Sequence, residues 1–147
     1  MFYSRFPAVD NLTPAAYEPD RGSIYPHVKN GGIFLCPADG HSKSGNSYAI
    51  NGCATNRAAS VASGLSLTQF DNPSDTIFFT EEADVDGDEV NGGSDDGYFQ
   101  FPGNPLAARH LLFSNMSFID GHAKSVKPST AIARGYPFGN PSLSSCP

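Results

Sequence analysis

Tryptophan is absent from these 147 residues, and charge is scarce, with only 16% of positions Asp, Glu, Lys or Arg. Without tryptophan the chain lacks the large stacking surface on which carbohydrate sites are commonly built. Basic residues are the rarer sign: 9 Lys+Arg against 15 Asp+Glu, a formal net charge of -6. That balance disfavours nucleic acid, whose binding depends on releasing phosphate counterions. It also disfavours an anionic membrane surface. No apolar run approaches the roughly 18 residues of a membrane-spanning helix. No basic start followed by an apolar stretch marks a secretion signal. GxSxG, GxxxxGK(S/T) and paired-glycine nucleotide loops are missing, so serine hydrolase and nucleotide-binding readings have no motif to stand on.

What the chain does have is 15 Gly, 12 Pro and 12% aromatic residues. That composition favours a loop-rich, β-leaning fold over a helical bundle. The length suits one domain with a core of its own. Residues 1–22 read as an arm carrying Phe2, Tyr3 and Phe6, residues 23–127 as the globular body, and residues 128–147 as a Pro-rich, extended tail.

Along the body, Ser23 to Lys29 predicts a short helical turn with Ser23 as its cap. Gly31-Gly32 breaks it, and Ile33 to Cys36 reads as a brief buried run. Ser47 to Asn51 alternates like a strand. Thr76 to Thr80 is the clearest strand, β-branched and aromatic and preceded by the turn cluster Asp71 to Ser74. A meander of short strands is expected from His110 to Val126, reversing at Ser114-Asn115 and at Asp120-Gly121.

Cys36, Cys53 and Cys146 are the three cysteines, with no CxxC spacing among them. A Cys36–Cys53 disulfide would close a short Gly/Ser/Asn-rich loop and add roughly 3 kcal/mol in an oxidising compartment. The alternative is three reduced thiols.

Two groups of side chains suggest sites. Carboxylates crowd the stretch from Glu81 to Asp96. Such crowding is relieved by a hard cation with oxygen ligands, and Ca²⁺ tolerates the irregular geometry of a Gly-rich loop. The expected ligands are Glu82, Asp84, Asp86, Asp88, Asp95 and Asp96, although the EF-hand register fails because Gly87 sits between the second and third acids. The competing reading is a solvated acidic loop. His110, Asp120 and His122 form the second group, fit for a transition metal or an acid–base pair. Against that, Asp120-Gly121 is ordinary turn chemistry and His110 an ordinary hydrogen-bonded side chain.

Four segments resemble a family. YPHVKNGGIFLCPAD (25–39), SYAIN (47–51), PSDTIFFTEEAD (73–84) and the stretch from His110 to Asp120-Gly121 resemble, in order and spacing, the pseudopilin-like bacterial proteins of the H-X9-DG group. These are similar to type II secretion pseudopilins and type IV pilins. The resemblance implies a pilin-like head of α+β class, β-rich, with an antiparallel sheet, long loops and little helix. It implies export, an extracellular or cell-surface location, and self-assembly into a homopolymer. It adds weight to calcium, since several major pseudopilins hold Ca²⁺ in head-domain loops, and it brings no catalytic role to His110, Asp120 or Gly121. The family's leader and long apolar helix have no counterpart here, so contacts by the arm and tail are expected to carry assembly. The expected function is thus a calcium-stabilised filament or pseudopilus-like subunit and not an enzyme. The alternative is a soluble binding head for polysaccharide or a secretion-system component.

Overall fold

The computed structural model describes residues 20, 22–40, 46–55, 65–83, 97–99, 101 and 103–136. Strands β1 (Tyr48–Asn51), β2 (Ile77–Glu81), β3 (Tyr98–Phe99), β4 (Ser114–Phe118) and β5 (Ala123–Val126) form one sheet in the order β3-β1-β2-β4-β5. Helices are short: α1 (Tyr25–Val28), α2 (Gly52–Thr55) and α3 (Pro128–Ala133). The class is β-rich α+β. Among the described residues no helix is long and apolar enough to cross a membrane.

β2 sits at the centre because its sequence can be buried on both faces. Ile77 and Thr80 face the core with no exposure. Phe79 and Glu81 face the other way, opposite Ile50 and Tyr48 of β1. The turn before it closes through Asp75 N–H on Asn72 O (3.0 Å), and a register shift between Ile77 and Phe79 marks a bulge. The core gathers Ala49, Ile77, Phe99, Leu106, Met116, Phe118, Val126, Ala131 and Tyr136 on one side of the sheet.

β4 and β5 pair as expected across Asp120-Gly121. Gly121 takes φ 92, a conformation that disfavours a side chain. The other expected reversal is misplaced. The chain turns at Leu111-Leu112, with φ 54 and 71, and His110 and Phe113 exchange N–H···O bonds of 3.1 and 3.0 Å. Ser114 and Asn115 instead open β4, since Ser114, Met116 and Phe118 must alternate onto its buried side.

Other differences follow from packing. The sheet is mixed, not wholly antiparallel: β3 runs parallel to β1 (Ile50↔Tyr98, Asn51↔Phe99), which buries Phe99 completely. α1 is present, but its N-cap is Ile24 with no side-chain cap bond, so Ser23 does not play that part. Gly31–Phe34 is a 3-10 turn in which Asn30 Oδ1 accepts the Gly32 N–H, leaving only Phe34 and Cys36 buried while Ile33 and Leu35 are exposed. The segment after Lys127, expected to be extended, starts α3 with Pro128 in the first turn, where its missing N–H is harmless. It brings Ala131 and Tyr136 into the core, and Tyr136 O accepts the Ile77 N–H at 3.1 Å. Residues 1–19, with Phe2, Tyr3 and Phe6, lie outside the described residues, as does the tail from 137.

Candidate functional site

Three loops meet at the end of β2, beside the sheet face that carries Tyr48, Phe79 and Glu81. The first loop follows the 3-10 turn and carries Cys36. Its backbone is tied to the entry of β1: Cys36 N–H donates to Ser47 Oγ (2.9 Å) and Ser47 N–H to Phe34 O (2.9 Å). Asn46 holds that entry by bonding both backbone groups of Tyr48. A second loop, around Pro105–Ala107, continues alongside β2 through Ala83 N–H on Pro105 O and Ala107 N–H on Glu81 O, both 3.0 Å. The third is the Leu111-Leu112 reversal, which presents His110.

The first and third loops bring Cys36 and His110 to Glu81 at the end of β2. His110 Nε2 lies 2.8 Å from Glu81 Oε1 and 3.4 Å from Cys36 Sγ. Glu81 Oε2 accepts the Asn115 N–H at 2.8 Å. The Glu81 side chain is fully buried, Cys36 is buried, and the His110 ring keeps 32% exposure. The sulfur, nitrogen and carboxylate oxygen all lie within 4.8 Å of one another. Beside them Arg109 faces Asp39 at 3.5 Å with both side chains out of solvent, and it also donates to Glu82 O.

The electrostatics favour a protonated thiol. Burial first, then its hydrogen bond to Glu81, push Cys36 above its ordinary value of 9.0; the Ala38 backbone N–H and the Arg109 charge pull the other way. Burial and the neighbouring Cys36 and Glu81 push Tyr48 up to about 12. A thiol raised in this way is a poor nucleophile at neutral pH.

An open groove of about 410 Å³ runs over the same sheet face from this cluster. Tyr48 and Asn115 line its near end, Phe79 and Ser117 its floor, and Ala123, Lys124 and Ser125 its far side.

The expected sites are distributed differently. Cys36 is a free thiol turned toward His110, so the disulfide to Cys53 is not formed; the Cys53 side chain is outside the described part. Of the six expected calcium ligands only Glu82 is described. It is buried, and Asn104 donates to its carboxylate. Asp84, Asp86, Asp88, Asp95 and Asp96 lie outside the described residues. The His110, Asp120 and His122 group is divided by β4, about 17 Å of strand at the usual rise. His122 stays with Asp120, Nδ1 to Oδ1 at 2.6 Å, and its ring stacks on Phe118 at 4.3 Å. Hydrogen bonds from the His122 backbone and ring hold the Asp120 carboxyl below its usual value.

Glu81 is the residue that counting acids missed as a partner of His110. Its place in the sequence groups it with the acidic loop, whereas strand alternation with Phe79 puts it on the face of Tyr48. No protein-family model matches this chain, and no curated protein or solved structure does either.

Proposed function

We propose that this chain is a pilin-like head whose work is assembly: a subunit of an extracellular filament or pseudopilus-like fibre, without catalytic activity of its own. One observation carries the proposal. Each of the four segments that resemble the pseudopilin-like proteins contributes to a single cluster: Cys36 and Asp39 from the first, Ser47 and Tyr48 from the second, Glu81 and Glu82 from the third, His110 and Asn115 from the fourth. Here these residues tie the Cys36 loop and the His110 reversal to the sheet. That the four segments meet at one place in the fold supports reading them as a single pattern. The protonated thiol of Cys36 fits the same non-enzymatic reading. Calcium in the acidic stretch 84–96 belongs to the proposal on the density of its carboxylates.

Negative-stain electron microscopy and sedimentation of the full chain, with and without EDTA, test the proposal. The expected outcome is ordered fibres that fray on chelation. Monodisperse particles at all concentrations would overturn assembly. The groove beside Tyr48 favours a second reading, a binding head for polysaccharide or a secretion-system component. It predicts a monomer that retains such a partner on a column and loses it in Phe79→Ser.

A further inference from the structure

We propose that Cys36 Sγ, Glu81 Oε1 and His110 Nε2 form a binding site for a zinc-class transition-metal ion, with a fourth coordination position open. Three segments far apart in sequence supply one donor each, and together they offer sulfur, nitrogen and oxygen. That mixture suits zinc and its neighbours; Ca²⁺ and Mg²⁺ take oxygen alone.

The spacing fits as well. Bond lengths of about 2.3 Å to sulfur and about 2.0 Å to nitrogen, at a tetrahedral angle, put the two donors about 3.5 Å apart. Cys36 Sγ and His110 Nε2 are 3.4 Å apart. Nitrogen and carboxylate oxygen around zinc stand about 3.3 Å apart by the same geometry. His110 Nε2 and Glu81 Oε1, at 2.8 Å, need only open slightly. Nε2 has one proton or one lone pair to offer, yet both neighbours are within its reach. A divalent ion satisfies all three donors at once.

Charge and support agree with this. A thiolate and a carboxylate together balance a 2+ ion, so the filled site adds no net charge to a buried place. The burial and the Glu81 charge that oppose thiolate formation are both offset by a cation between them. The donors are held from behind, as metal ligands commonly are. Asn115 N–H takes the second oxygen of Glu81, Ser47 Oγ fixes the Cys36 backbone, and Ala38 N–H reaches the sulfur. Three protein ligands leave one position for water or an exogenous group. Tyr48 is hydrogen-bonded to Cys36, and the groove begins at Tyr48. The site stands independently of filament assembly and of the acidic loop.

Cobalt(II) titration of the metal-free full chain is the test. One Co²⁺ per chain is expected, with a near-ultraviolet thiolate-to-cobalt band that Zn²⁺ abolishes by displacement. Cys36→Ser should remove the band, whereas Cys53→Ser combined with Cys146→Ser should keep it. Glu81→Gln and His110→Ala should each weaken cobalt binding by about tenfold or more. A band that survives Cys36→Ser, or no stoichiometric binding, overturns the site. A second measurement needs no variant. Zn²⁺ should slow alkylation of Cys36 in the unmodified protein, read by peptide mass spectrometry, while Ca²⁺ should not. An unchanged rate with Zn²⁺ would also overturn it.

Discussion

Tyr48 is where the buried cluster meets the open groove, and its proton reports on both. Its folded value is pushed up to about 12 from 10.0, and that of Cys36 is raised from 9.0. Below both ordinary values each group is protonated whether the chain is folded or not, and the full stability is present. As pH rises past them the unfolded chain releases protons first, so stability falls until the folded values are reached. Metal-free protein should therefore lose stability progressively above about pH 9, and Tyr48→Phe should make the decline shallower. Thermal melts across the alkaline range measure this, and an unchanged slope in the variant would contradict it. Single residues were only half legible in the sequence. Cys36, Glu81 and His110 could each be noticed, but their meeting depends on the Tyr48↔Glu81 register and on where the chain reverses before β4. Both are set by long-range pairing, which local patterns do not encode. Cys36 accordingly looked like half of a disulfide, and His110 like a partner of Asp120.

Among elements, the two-residue reversal at Leu111-Leu112 stands apart. Such turns need positive φ at both central positions and usually employ Asn-Gly. Here two leucines adopt it, 91% and 67% exposed. Each costs about 1–2 kcal/mol in a left-handed conformation. Leu111→Asn with Leu112→Gly should raise stability by about 2 kcal/mol in urea unfolding, and a lower midpoint would count against the strain. Local chemistry made β2 and the Asp120-Gly121 turn readable, because their residues suit their conformations. It misplaced the other turn for the opposite reason: Ser114-Asn115 has the better turn composition, but β4 needs those residues for pairing. α3 was missed because the prolines and weak periodicity of the tail outweighed a helix only six residues long.

At the scale of the whole molecule, the core is closed from the C-terminal side. Tyr136 is 3% exposed, packs edge-on to Phe118 at 5.2 Å, and places its hydroxyl 3.1 Å from Lys124 Nζ, whose ammonium lies over both rings. Tyr136→Ala should cost about 3–5 kcal/mol, as for other large buried aromatics, measured by urea unfolding; a loss below 1 kcal/mol by the same scale would mean that α3 merely rests on the surface. The class, β-rich with little helix, could be read from glycine, proline and aromatic content. The strand order could not, because the two-residue β3 carries no periodic signal and pairs with β1 across β2 in sequence. That order, β3-β1-β2-β4-β5, has a consequence for biosynthesis. Of the described strands, a chain leaving the ribosome N-terminus first makes β1 and β2, two adjacent inner strands, before the others. Each later strand then joins a free outer edge, β3 beside β1, β4 beside β2, β5 beside β4, and none has to wedge between partners already joined. The nascent sheet grows outward like a page widened at both margins, and Ala131 and Tyr136 are the last of its described core residues to emerge.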